Sequence, residues 1–183
     1  MIAWWSSSLG ADQITATEIR TGLWTLRFLA ITLAVTPARQ LLGLSALAKY
    51  RRLLGLFAFF YAVIHVFTWS WADMDFDVGL MAREIAKHKY ILIGMLTFVM
   101  LIPLALTSTK GWIKRMGGRR WNRLHQLIYV AAVTGTVHYL WAVKKDTFFP
   151  LVYLVVFIAL LGYRAVRFAR TRAVRLAADR MAA

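Results

Sequence analysis

The chain has no cysteine and only three prolines in 183 residues, and acidic side chains are scarce, 8 Asp and Glu against 23 Lys and Arg. Without thiols it can hold no disulfide, no iron–sulfur cluster and no thiolate-ligated haem. The shortage of carboxylates excludes something too. A transmembrane proton path normally carries intramembrane acids, and the long apolar runs of this sequence have none in their interiors. No linker or low-complexity tract is visible, and the first ten residues lack the basic region of a cleavable signal peptide.

What remains is overwhelmingly apolar. Hydrophobic residues make up 60% of the chain, and five runs, roughly 18–37, 53–71, 90–107, 122–143 and 149–167, approach the ~20 residues that a helix needs to cross ~30 Å of hydrocarbon. In lipid each run must be a helix, because only a helix satisfies every backbone N–H and C=O within its own segment. The expected fold is therefore an all-α integral membrane bundle of five helices forming one domain over 1–183, with a basic tail over 168–183. Pro150 suits the first turn of the last helix, and Pro103 is expected to kink the third.

A net charge of +15 would suggest nucleic acid in a soluble protein, but its distribution points to a membrane. Arg39, Lys49, Arg51 and Arg52 fill the first loop, six basic residues between Lys110 and Arg123 fill the third, and Arg164 to Arg180 follow the last span. The second loop is mildly acidic, with Asp73, Asp75, Asp77 and Glu84, and the fourth holds only Lys144, Lys145 and Asp146. The positive-inside rule then puts the amino terminus outside and the carboxyl terminus in the cytoplasm, with the basic loops beside anionic lipid.

Four histidines stand out against this background. His88 lies between Lys87 and Lys89 and reads as a solvated loop residue, while His65, His125 and His138 sit inside or at the mouth of apolar runs. A buried membrane imidazole is a ligand or a proton carrier, since neutral imidazole binds metals well and an ionisable ring in hydrocarbon needs a partner. The second and fourth spans run in the same direction, so position converts to depth at ~1.5 Å per residue. His65 and His138 both fall toward the outer end of their spans. Ala58 and Ala62 precede His65 by seven and three residues, and Ala131 and Gly135 precede His138 by the same intervals, giving each ring small residues on its own helix face. Such a stripe either recesses a flat macrocycle or simply packs helices. Beside histidines matched in depth, it favours a bis-histidine haem.

His125 is harder to assign. It precedes His138 by thirteen residues, about 20 Å of rise, but an ideal helix would leave the two rings ~140° apart unless a kink or bulge intervenes. At the matching position before His65 stands Arg52. His125 therefore ligates a second haem with another partner, orients a flavin or quinone, or caps the polar mouth of the helix. Arg27, well inside the first span, needs either a haem propionate or an outward snorkelling path. The Asp73, Asp75, Asp77 run lacks the twelfth-position glutamate of a calcium loop. Trp69, Trp71, Tyr139 and Trp141 form an aromatic belt at the outer boundary.

Three stretches carry a family resemblance. Arg51-Arg52-Leu53-Leu54-Gly55-Leu56 leading to His65, Leu106-Thr107-Ser108-Thr109 closing a span, and Trp121-Asn122-Arg123-Leu124-His125 leading to His138-Tyr139-Leu140-Trp141 resemble the MsrQ (YedZ) family. The resemblance runs from about Leu9 to the end of the last span. It implies the ferric-reductase-like transmembrane architecture, with haem b and FMN as cofactors. It also implies a bacterial inner-membrane location, electrons from the quinone pool or a cytosolic flavin reductase, and delivery to MsrP, a periplasmic molybdopterin methionine sulfoxide reductase that repairs oxidised proteins. On this resemblance the haem histidines map onto His65, His125 and His138, while Arg27, Arg51 and Arg52 are candidate cofactor contacts. No local pattern marks the flavin. Members of that family usually begin with an extra helix, of which only Trp4-Trp5 before Ser6 could be a remnant; either the chain starts late or this member has five spans. The competing function class is a haem-free transporter or channel whose histidines relay protons.

Overall fold

Hydroxyl side chains show how this apolar sequence satisfies itself. Thr17, Thr25, Thr32, Thr68, Thr97 and Thr136 each donate to the carbonyl four residues earlier in their own helix, at 2.6–3.1 Å, so these polar groups ask nothing of the lipid. The computed structural model describes residues 11–143 and 147–182. The elements are α1 (Ala11–Leu41), a 3₁₀ turn (Ser45–Tyr50), α2 (Arg51–Ala72), α3 (Val78–Lys87), α4 (Lys89–Leu106), α5 (Lys110–Met116), α6 (Gly118–His125), α7 (Leu127–Ala142) and α8 (Phe148–Ala182). No strand occurs among the described residues. Trp4, Trp5, Lys144, Lys145 and Asp146 lie outside them.

Four of these helical stretches, Gln13–Leu41, Ser45–Ala72, Lys89–Leu106 and Phe148–Met181, are long and apolar enough to cross a membrane. The expected run over 122–143 is divided instead. Gln126 separates α6 from α7, and α7 has 16 residues, which at 1.5 Å each gives about 24 Å and falls short of the hydrocarbon thickness by itself. The last run continues without a break into the basic tail, making α8 a single helix of 35 residues. Pro103 stays within α4, and the freed end of that helix is closed by Thr107, whose N–H and hydroxyl both donate to the Pro103 carbonyl.

Two hairpin-like pairs organise the bundle, α1 against α2 and α4 against α7, and α8 packs on α1 and α7. Leu26, Leu29 and Leu33 of α1 form the centre of the core with Ala58 and Ala62 of α2, Leu101 and Leu104 of α4, Ile128, Ala131 and Ala132 of α7 and Phe157 of α8. The small stripes expected beneath the histidines are thus buried. At Gly135 the small residue serves helix packing, because a Cβ there would meet Leu26 at 3.4 Å and Thr97 at 3.5 Å. Large apolar side chains such as Phe60, Phe67, Val99, Val155 and Ile158 face outward, as lipid-facing residues must.

Candidate histidine centre

His65 and His138 are each aimed by a neighbouring helix. His65 of α2 lies against α1, where its Nδ1–H donates to the carbonyl of Glu18 at 2.9 Å. His138 of α7 lies against α4, where its Nδ1–H donates to the carbonyl of Tyr90 at 2.7 Å. A carbonyl can only accept, so these bonds fix the proton on Nδ1 and leave both Nε2 atoms as lone-pair donors. That is the arrangement in which an imidazole ligates a metal, with its other nitrogen held by a backbone acceptor.

Glycines make the approach possible. A Cβ on Gly94 of α4 would stand 2.6 Å from Nδ1 and 2.8 Å from Cε1 of His138, inside any tolerable contact. On α1 the crowding is milder: a Cβ on Gly22 would lie 3.2 Å from Cε1 and 3.3 Å from Nδ1 of His65. The two ring centres are 6.1 Å apart, with planes inclined at 77°. Two metal–nitrogen bonds of about 2 Å, added to roughly 1 Å from each nitrogen to its ring centre, span about 6 Å. The separation therefore fits two axial ligands of one iron.

The folded chain brings the two rings side by side. Four contributors went unread in the sequence: Gly22, Gly94 and the carbonyls of Glu18 and Tyr90. A lone glycine in a Leu- and Ile-rich span was the available signal for Gly94; backbone acceptors leave none. Glu18 has a second feature, for its side chain interacts with Asp73 at the carboxyl-terminal end of α2 while Oε1 is buried without a partner.

His125 stands apart from the pair, as the last residue of α6. Its ring stacks on Trp121 at 3.8 Å and its Nε2 lies 3.0 Å from the Thr107 hydroxyl, while the Trp121 indole donates to the Thr107 carbonyl. The break at Gln126 resolves the 140° problem: both His125 and His138 face α4, one at its Thr107 end and the other at its Tyr90 end. Arg51, exposed at the start of α2, acts electrostatically on His125 and on Arg164 of α8. Arg52 is exposed beside it. Arg27 is not gathered into the centre; it is exposed on α1 with its guanidinium 4.7 Å above the Trp24 ring. Between α2 and α3, Asp77 caps α3 by accepting from the Leu80 N–H at 2.9 Å, an ordinary helix cap.

Residues 21–136 match the family described as ferric reductase like transmembrane component. The chain is 49% identical over 162 residues to the protein-methionine-sulfoxide reductase heme-binding subunit MsrQ of Polaromonas naphthalenivorans, covering 87% of this chain and 74% of that protein. It is similar to MsrQ of Azospira oryzae (45% over 163 residues, 88% and 70% covered) and of Xanthomonas campestris pv. campestris (46% over 159 residues, 87% and 72% covered). No solved structure matches.

Proposed function

Because this chain belongs to the MsrQ family of ferric-reductase-like membrane subunits, we propose that it is the haem-binding, electron-transferring subunit of a methionine sulfoxide reductase system. The observation that carries this reading is the His65–His138 pair, 6.1 Å apart with both Nε2 atoms free. His65 and His138 would hold one haem b as axial ligands, and the relatives' names, which speak of heme binding, support the cofactor. A haem so held supplies a one-electron carrier that shuttles between ferric and ferrous iron.

The protein's own work is to hold the two imidazoles and to exclude water. Backbone acceptors on α1 and α4 fix both rings without titrating, and the alanines at positions 58, 62 and 131 keep the surrounding wall small and apolar. Low dielectric and fixed ligands together limit reorganisation when the charge of the centre changes. Electrons would arrive at the side where Arg51, Arg52 and His125 lie, from a quinol or a cytosolic flavin reductase, and leave outward to the periplasmic catalytic subunit MsrP. In this reading α6 and α7 together complete a fifth crossing of the bacterial inner membrane, the whole chain acts as one transmembrane unit, and the carboxyl terminus is cytoplasmic. His125 serves electron input rather than the outer haem, Arg27 stays with Trp24, and the reading requires no flavin. FMN rests on the family resemblance alone, since the relatives' names mention haem only.

Proteoliposomes test the function. Haem in the reconstituted protein should be reduced from one face by quinol or reduced flavin, then reoxidised by a methionine sulfoxide reductase with its substrate at the opposite face. Purified protein that has no haem absorbance and instead conducts protons would contradict the proposal and favour the relay.

A further inference from the structure

Where α8 leaves the bundle, it builds a groove against the end of α1. The cavity, about 400 Å³, is lined by Gln40 of α1 and by Arg167, Phe168, Thr171, Arg172 and Arg175 of α8. Its base is fixed by two bonds between the helices: the Tyr163 hydroxyl donates to Gln40 Oε1 at 2.9 Å, and Arg164 Nη2 donates to Thr36 Oγ1 at 2.9 Å. A second hollow adjoins it on the same helix and shares Arg167, Thr171 and Arg175. Three arginines therefore line one groove with Gln40 and Thr171, whose hydroxyl donates to the Arg167 carbonyl at 2.9 Å, and none of the three arginines makes an ion pair among the described residues.

Guanidinium forks match the tetrahedral oxygens of phosphate, and arginine suits that geometry better than a point charge does. Depth narrows the choice further. From Arg167 to Arg172 the helix rises about 7.5 Å, comparable to the roughly 5–8 Å of headgroup layer on each side of the hydrocarbon. Side chains on a helix lean toward its amino-terminal end, so Arg172 and Arg175 tilt back toward the bilayer. Phe168, 71% exposed, offers an apolar surface beside the charges.

We propose that the groove formed by Gln40, Arg167, Thr171, Arg172 and Arg175 binds a phosphate group at the headgroup level of the membrane. The phosphate belongs either to an anionic phospholipid or to a soluble phosphate compound. The proposal requires that α8 cross the bilayer and is independent of the haem reading.

The test uses the full chain in detergent and native mass spectrometry with short-chain phosphatidylglycerol, phosphatidylcholine and inorganic phosphate. The variant Arg167→Gln/Arg172→Gln/Arg175→Gln is compared with Arg119→Gln/Arg120→Gln/Arg180→Gln, which removes the same charge elsewhere. Circular dichroism confirms that the helices persist in both. The groove variant should bind phosphatidylglycerol at least ~10-fold more weakly than the parent chain, while the control stays close to it and phosphatidylcholine discriminates neither. Displacement of the lipid by millimolar phosphate, or binding of phosphate without a preference for phosphatidylglycerol, would support the site and identify a soluble source; resistance to displacement identifies the lipid. Equal phosphatidylglycerol binding by parent and groove variant with no phosphate bound, or an equal loss in the control, would overturn the proposal.

Discussion

His138 depends on a hydrogen atom at position 94. A methyl group there would lie 2.6 Å from Nδ1, so Gly94→Ala must push the ring off the Tyr90 carbonyl. Loss of such an orienting bond typically costs 10–100-fold in metal affinity. Haem titration of Gly94→Ala should show a loss of about that size, and Gly22→Ala, with its nearest contact at 3.2 Å, should lose less; the reverse order would mean that the pair is not held as described. His125 makes a different commitment, because Thr107 already occupies its Nε2. We expect His125→Ala to keep the haem spectrum while slowing reduction by quinol, with Arg51→Ala slowing it too. The two effects should combine less than additively if both residues serve one site. Stopped-flow reduction of the single and double variants reads this, and loss of all haem in His125→Ala would make His125 a ligand instead.

At the scale of elements, helix ends do most of the positioning. The Gln126 break turns His125 toward the same neighbour as His138, and the run over 122–143 gave no sign of it because only the last four residues of α6 fall inside that run and the rest is the apolar α7. The apolar runs, the depth match of His65 and His138 and the aligned small residues were legible, since each depends on spacing along one helix. The pairing of α1 with α2 and of α4 with α7, and the use of backbone carbonyls to aim the rings, depends on contacts between helices and left no local pattern. The outward turn of Arg27 was equally hidden, as its choice between a propionate and Trp24 depends on which face of α1 is buried.

The cap of α3 offers a pH test. The N–H groups of Leu80 and Gly79 hold the Asp77 carboxyl below its ordinary range. A carboxylate favoured in the folded state stabilises above its unfolded pKa of about 3.9 and loses that contribution as pH falls through the lower folded value. Amide-exchange protection factors in Val78–Lys87 should hold from neutral pH down to mildly acidic conditions and fall only below that range. Asp77→Ala should lower them at neutral and mildly acidic pH and converge with the parent chain below that range, and an unchanged profile in that variant would remove the cap from the account.

Over the whole molecule, charge sets direction. The first and third loops and the tail carry the basic residues, so a reporter fused after Ala183 should behave as cytoplasmic and one inserted near Asp75 as periplasmic. The opposite labelling would reverse the proposed electron flow. The central claim concerns the His65–His138 pair, where two helices present imidazoles aimed by two others. The measurement that tests it most directly is the reduced-minus-oxidised optical spectrum, with low-temperature electron paramagnetic resonance, of the purified chain and its His65→Ala and His138→Ala variants. The account predicts a low-spin bis-imidazole haem in the parent chain that is lost in each variant, because each ring supplies one of two axial bonds. A spectrum unchanged in both variants would contradict it.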